Sequence, residues 1–473
     1  MSDGCRSQNR FFNMDVIQKE LIIVGGGPAG YAAAIRAARH GMDVALVEAD
    51  KLGGACLNRG CIPTKALLES SRLFARVRSE AFGVKGDVQF FLDEVVGRKD
   101  QLVDKLNKGI GMLIQSNKIA YYNATAAFTG EKTLKLSTGE TLQGKKILLA
   151  LGAAPVVPRS IEGIELAKTS DDVLAHRFGD YRKVVVIGGG VIGVELATFF
   201  SEIGSQVTIL EGLPRILSPF SPDVTKYIGL ALRRGGVKVT AGASVKKLVQ
   251  QEQGIGVVYT EKEKENTVSA DLVIVCVGRA PRKIDGLEFS GVEFDRGILT
   301  NADGQTKNPD IYAVGDCVKG SIQLAHYATA RAISVVDKLA GKPSHTNLTC
   351  VPGCVYTNPP VARVGLSEED AQVAGREIEV GKFNLGGNGK SLIAGEERGY
   401  VKVIFDKGTE QLLGVELVAA EAPEMIGGFT TLVAMKAKRG DILRSIYPHP
   451  SVSEGFFEAV EDSLKQAIHV IYK

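Results

Sequence analysis

At 473 residues the chain is longer than one hydrophobic core organises, so two to four domains with clefts between them are expected. Its 57 lysines and arginines against 54 aspartates and glutamates leave a formal charge of +3, too small for the footprint of a nucleic-acid or membrane-surface binder. Seven cysteines in so long a chain do not make a disulfide framework, so any bridge is expected to be catalytic.

The opening MSDGCRSQNRFFNMDVIQKE has no apolar run suited to a signal peptide, and its acidic residues argue against a transit peptide. Apolar stretches such as 147–157 are interrupted by Gly and Pro and fall short of a membrane span. The expectation is a soluble, cytoplasmic protein without a membrane partner.

Next, LIIVGGGPAGYAAAIRAARHGMDVALVEAD reads as an apolar strand, a glycine turn, an Ala-rich helix and a second strand ending in acid, a dinucleotide-binding unit. Gly25 makes the tight turn, Gly27 lets backbone approach a pyrophosphate, and Gly30 lets helix and strand pack closely. The helix N-terminus receives the phosphates. Glu48 is placed to accept hydrogen bonds from ribose hydroxyls. One such glycine pattern is weak evidence, because glycines also serve packing alone. It returns, however, in VVVIGGGVIGVELATFFSEIGSQVTILE, with Gly188, Gly190, Gly193 and Glu211, and the same 23 positions separate first glycine from acid in both. A carboxylate at Glu211 repels the 2′-phosphate of NADP, so the second site is expected to take NAD. Arg215, four residues on, could neutralise such a phosphate, but it reads first as a solvated loop arginine.

Between the two units, GGACLNRGCIPTKALLESS sets Cys56 and Cys61 five positions apart. Zinc does not fit, because no second Cys or His pair sits at a ligand interval, and no metal is expected. In a continuous helix five residues rise about 7.5 Å, beyond the roughly 7 Å limit between bridged α-carbons. A bridge therefore requires an interrupted helix. Gly60 permits the break, and Pro63 lacks an amide and clashes with the Arg59 carbonyl of any continuing helix. Two buried thiols at a helix start are the plain alternative; a redox disulfide is the reading preferred.

From these motifs the chain resembles the class I pyridine nucleotide-disulfide oxidoreductases, and within them most closely the dihydrolipoamide dehydrogenases, over nearly all residues after Met14. The resemblance implies an α/β fold with two Rossmann-like dinucleotide-binding domains, for FAD and NAD, plus an α+β C-terminal dimerisation domain. The expected organisation is an extension over 1–18, an FAD domain over 19–153 and 281–349, an NAD domain over 154–280 and a dimerisation domain over 350–473. It also implies that Cys56 exchanges with substrate, that Cys61 lies against the flavin, and that Lys65 sits beside the flavin N5 paired with Glu195. A carboxylate facing inward from an apolar helix needs such a partner. Within TKNPDIYAVGDC, Gly315 and Asp316 match a second flavin fingerprint, with Asp316 on a ribityl hydroxyl, although a helix N-cap is the plainer use of such a residue. Gly152 closes a linker, Ala150, Leu151, Gly152, whose middle residue departs from the family's threonine, and Gly278 joins the NAD set.

GYVKVIFD before Lys407 and Gly408 reads as a hairpin strand. In the tail YPHPSVSEGFFEAVED, His449 and Glu454 match the family's proton-transferring pair, which enters the partner subunit. Only a thiolate attacks a disulfide, and an imidazole near neutrality can take the thiol's proton while a carboxylate fixes its tautomer. Tyr447 replaces the second histidine common in the family. Cys350 and Cys354, in CVPGC, could form a second redox pair, but with no flavin-side motif beside them and Pro352 as a turn they read as structural, and Cys5, Cys276 and Cys317 read as ordinary small residues. The implied function is oxidation of protein-bound dihydrolipoamide by a homodimer, the partner being a lipoyl-bearing protein of a 2-oxoacid dehydrogenase or glycine cleavage complex. The rivals are an NAD(P)H-dependent reductase of another disulfide or a metal ion, and a flavin-containing redox-sensing subunit. The ending HVIYK, without the cysteine pair of mercuric reductases, argues against mercury.

Overall fold

The computed structural model describes residues 16–175, 179 and 181–472. Residues 1–15, with Cys5, lie outside them. The described residues divide into two compact units, one within Met1–Cys56, Lys105–Ala154 and Ala280–Thr346, the other within Leu57–Asp104, Pro155–Arg279 and Asn347–Lys473. No helix among the described residues is long and apolar enough to cross a membrane.

The first unit is built on a sheet in which Val16–Val24 runs parallel to Val44–Glu48 on one side and Thr141–Leu149 on the other. Ala120–Asn123 and Ile311–Ala313 extend the parallel portion, and Thr133–Leu136 adds an antiparallel ribbon beside Thr141–Leu149. The run Leu21, Ile22, Ile23 is fully buried, as expected of a parallel strand covered on both faces. This strand starts at Val16, paired with Thr141, so it begins inside the segment expected to be an extension over 1–18. Helix Pro28–Arg39 opens with Pro at its first position, where the missing amide costs nothing. Ala29, Ala33, Ala34 and Ala37 form its buried face, small enough for close packing of helix Ala325–Leu339. That pair is locked by Asp337, which accepts from Arg36 Nε at 2.6 Å and contacts His40 Nε2 at 2.7 Å.

The second unit holds the repeat of this plan. Lys183–Ile187 lies parallel between Gln206–Glu211 and Leu272–Val275, with Lys238–Ala241 beyond the former. A three-stranded antiparallel meander, Ser244–Gln250, Ile255–Glu261 and Lys264–Ala270, follows in the chain. Helix Val191–Glu202 is buried nearly all round, because helix Cys61–Arg78 packs on the side away from the strands. The last strands form an antiparallel sheet in the order 353–355, 361–365, 412–418, 400–406, 378–384. Tyr400–Asp406 pairs with Leu412–Val418 across a short turn, as the GYVKVIFD pattern predicts. Helix Glu454–Asp462 covers this sheet so closely that a β-carbon at Gly381 would stand 1.8 Å from the Ala459 carbonyl.

Candidate active site

In both turns the first and third glycines stand where a side chain would not fit. Gly25 has φ +104° and Gly188 φ +106°, and a side chain at either would strike the carbonyl of Ala150 or Cys276. At Gly30 a β-carbon would come within 1.7 Å of the Gly25 carbonyl, and at Gly193 within 2.0 Å of the Gly188 carbonyl, so each helix can approach its strand only without one. Beside Gly27 and Gly190, by contrast, the space is open: the nearest atom to a β-carbon at Gly27 is the Gly54 Cα at 3.8 Å, and Gly190 meets nothing within 4 Å. Those residues are the N-caps of the two helices, Pro28–Arg39 and Val191–Glu202. Open backbone at a helix N-terminus fits a pyrophosphate.

The two terminal acids have backbone partners that the sequence reading did not assign them. Glu48 accepts from the Gly26 amide at 2.5 Å and the Asp50 amide at 2.8 Å; Glu211 accepts from Gly189 at 2.5 Å and Leu213 at 2.6 Å. Each carboxylate thus pins its own glycine turn. Two oxygens with about four lone-pair sites still leave capacity for ribose hydroxyls. Arg215 keeps a third of its side chain exposed, as a loop arginine would, and in addition donates to the Ser218 carbonyl and faces Glu369 at 3.8 Å. Gly278 and Gly152 both have positive φ and open space where a side chain would stand. Gly315 and Asp316 lie in a single 3-10 turn, Gly315–Cys317, while helix Ala325–Leu339 is capped by Leu324, so Asp316 does not serve as its N-cap.

The cysteine segment breaks where expected. Helix Gly54–Arg59 contains Cys56, Gly60 takes non-helical dihedrals, and Cys61 opens the 18-residue helix Cys61–Arg78. Pro63 falls in that helix's first turn, where no amide donor is needed, and the first ladder bond runs from the Thr64 amide to the Gly60 carbonyl. The helix N-terminus favours negative charge at Cys61. In the first unit, Cys56 is half-buried, and Tyr31 has its phenol pushed up by burial and then by charge at Cys56.

One turn into the second helix, Lys65 donates to Glu195 Oε2 at 2.7 Å. Glu195 is 3% exposed, and its other oxygen accepts the Tyr356 amide at 2.9 Å. The Tyr356 ring lies beneath the Lys65 ammonium, 4.5 Å from Nζ to centroid. Burial, then charge at Cys354, Glu195, Glu424 and Cys61, pushes the Tyr356 phenol up to about 12. Sequence reading did not single out Tyr356, which touches both Lys65 and Glu195. Nor did it single out Asp171, which holds Arg279, the neighbour of Gly278, at 2.6 Å and lies 3.8 Å from Arg59 of the cysteine segment. An arginine directly after Gly278 was the available signal.

His449 is 79% exposed, and its Nδ1 lies 2.8 Å from Glu454 Oε1. Burial raises the Glu454 carboxyl, but the Ser451 amide and the His449 ring outweigh it and hold the group below the usual range. The carboxylate therefore fixes the tautomer with Nδ1–H inward and Nε2 outward. Cys354 lies in strand Gly353–Val355, its thiol pushed up to about 11 by burial, and Cys350 sits at 3.5 Å from the Thr430 carbonyl. Cys276 and Cys317 are fully buried core thiols, pushed up to about 12 and about 11, the inert behaviour expected of them.

Residues 19–332 match the family described as pyridine nucleotide-disulphide oxidoreductase, and 351–460 match its dimerisation domain. A dihydrolipoyl dehydrogenase of Thermus scotoductus is 36% identical, over 96% of this chain and 99% of that protein. A dihydrolipoamide dehydrogenase of Chaetomium thermophilum is 37% identical, over 95% and 92%. Among solved structures, the HOCl-induced flavoprotein disulfide reductase RclA from Escherichia coli superposes with a TM-score of 0.84 at 27% identity, covering 93% of this chain and 99% of that one.

Proposed function

This chain belongs to the pyridine nucleotide-disulphide oxidoreductases, and from that premise we propose that it oxidises a protein-bound dihydrolipoyl dithiol, with Cys56 and Cys61 as the exchanging pair. It is a flavoprotein disulfide oxidoreductase with FAD and NAD as cofactors. The observation that carries the substrate reading is the His449–Glu454 pair, an exposed imidazole with one nitrogen held and the other available to take a thiol proton.

In this reading Nε2 of His449 takes a proton from one substrate thiol. The thiolate attacks Sγ of Cys56, the Cys56–Cys61 bond breaks, and Cys61 leaves as a thiolate favoured by the helix N-terminus. The second substrate thiol passes its proton to the departing Cys56 sulfur as its own sulfur displaces it and closes the cyclic disulfide, so the substrate has lost two electrons and two protons, one proton held on His449 and one on Cys56. Bound FAD and NAD supply the route by which those electrons leave as hydride. Gly27 and Glu48 hold the FAD pyrophosphate and ribose, and Asp316 the ribityl chain. Gly190 and Glu211 hold NAD, with the negative charge of Glu211 disfavouring a 2′-phosphate. Lys65 and Glu195 stand at the flavin. The dimerisation domain supports a homodimer, in which His449 serves the partner's cysteines; cytoplasmic location and service to a 2-oxoacid dehydrogenase or glycine cleavage complex complete the reading.

The second reading is an NADPH-driven disulfide reductase, favoured by Tyr447 at the place of a family histidine and by the likeness to RclA. Steady-state turnover of the purified holoenzyme separates them. Rapid NADH formation from dihydrolipoamide and NAD is expected; silence there, with NADPH oxidation by glutathione disulfide, replaces the first reading with the second.

A further inference from the structure

Lys65 is held on more sides than an ion pair requires. Glu195 takes one of its N–H groups, the Tyr356 ring covers another face, and the Tyr356 amide occupies the second oxygen of Glu195. One residue, outside both motifs, thus touches both members of the pair. The segment carrying it is itself tied to the lysine's helix, because Arg72 donates to the Thr357 carbonyl at 3.0 Å and the Thr357 hydroxyl donates to the Pro359 carbonyl at 2.6 Å.

A lysine on four flexible bonds keeps much rotamer freedom when one carboxylate alone holds it. A π-face at 4.5 Å removes that freedom on a second side and adds electrostatic attraction that grows as water is excluded. The bond from the Tyr356 amide also stops Glu195 from turning both oxygens to Lys65, so the ammonium keeps donor capacity in a fixed direction. We propose that Tyr356 is a positioning residue for electron transfer, whose ring and amide together aim the Lys65 ammonium at the flavin. The inference rests on the placement of Lys65 beside the flavin in the proposed function, and is independent of which thiol is the substrate. The phenol, protonated throughout the neutral range, supplies the ring face without adding charge.

The test is the two-electron midpoint potential of the bound flavin, measured in the holoenzyme by reduction against a reference dye, which needs no thiol substrate. Tyr356→Phe keeps the ring and the amide and should leave the reduction equilibrium within about twofold of the native enzyme. Tyr356→Leu should shift it about tenfold toward oxidised flavin, about 30 mV at two electrons. Should the leucine variant fail to fold, phenylalanine with one to three ring fluorines at position 356 keeps the shape while draining the π-face, and a potential that falls stepwise with fluorination is expected. Lys65→Met should lower the potential at least as far. If Lys65→Met shifts it while leucine and the fluorinated rings do not, the role given to Tyr356 is overturned alone; if Lys65→Met also leaves it unchanged, the placement of Lys65 falls with it.

Discussion

Replacing Glu195 by Gln removes one charge from a site where neither donor has an alternative acceptor in the contacts that hold it. The native carboxylate uses separate oxygens, Oε2 for Lys65 at 2.7 Å and Oε1 for the Tyr356 amide at 2.9 Å. An amide offers one oxygen, so its NH2 must face one of these two donors. Breaking a buried ion pair from one side costs about 3–5 kcal/mol, but the Lys65 side chain is 31% exposed and water recovers part of that. One stranded donor adds about 1–3 kcal/mol, and the two costs overlap. A net loss of about 3 kcal/mol is expected, which at a urea m-value of about 3 kcal/mol/M lowers the midpoint by about 1 M. Urea unfolding of the holoenzyme followed by far-UV circular dichroism measures it, with an unchanged m-value showing that stability alone has moved. A midpoint within about 0.2 M of the native protein would refute the claim that this carboxylate is charged and doubly engaged.

Gly193→Ala places a methyl 2.0 Å from the Gly188 carbonyl, so helix Val191–Glu202 must retreat from its strand by about an ångström. At least a tenfold rise in the KM for NAD is expected, with the flavin absorbance intact; native KM values would contradict the packing role. The third prediction concerns acid. Burial raises Asp223, but hydrogen bonds from Lys382 and Lys402 outweigh it and hold the group at about 2, below its unfolded value of about 3.9. A depressed carboxyl contributes stability that is complete above about pH 4 and is lost as pH falls toward about 2. Asp223→Asn should therefore flatten the fall in urea midpoint across that window, and an unchanged slope there would show the ion pairs to be screened out.

Local features were the most legible. The turn at Gly25, the close approach at Gly30 and the break at Gly60 follow from backbone sterics within a few residues, and the sequence shows those residues side by side. The pairing of Lys65 with Glu195 spans 130 positions, and only resemblance to a family brought it into view. Tyr356 had no such pattern: an aromatic after a short strand reads as core packing, and its contact with Lys65 exists only because two distant segments fold onto the same helix. The contact of Arg215 with Glu369 was out of view for the same reason, since Glu369 is far away in sequence and next to it in space. The start of the strand at Val16 was not in view because the polar residues Gln18, Lys19 and Glu20 interrupt the apolar run that marks it, whereas pairing of Val16 to Lys19 with Thr141 to Gly144 continues the sheet there.

The repeated interval from glycine to acid has a cause that a ribose alone does not supply. In both units the carboxylate at the end of the second strand reaches back to the amide of the middle glycine and forward to the amide two residues on. Helix length and strand length between them must therefore be conserved to within the reach of one side chain, and the interval is set by the turn before any nucleotide binds. At Glu211 this joins two properties that are usually treated apart. The carboxylate is 9% exposed and satisfies the amides of Gly189 and Leu213, and the same negative charge is the one that would disfavour a 2′-phosphate. A residue without a side-chain acceptor there would relieve the repulsion but strand two amides, at about 1–3 kcal/mol each. A change of coenzyme preference at this site consequently has to keep an acceptor at position 211 and place the compensating cation elsewhere. Arg215, already engaged by Ser218 and Glu369, is not free to provide it without giving up those contacts.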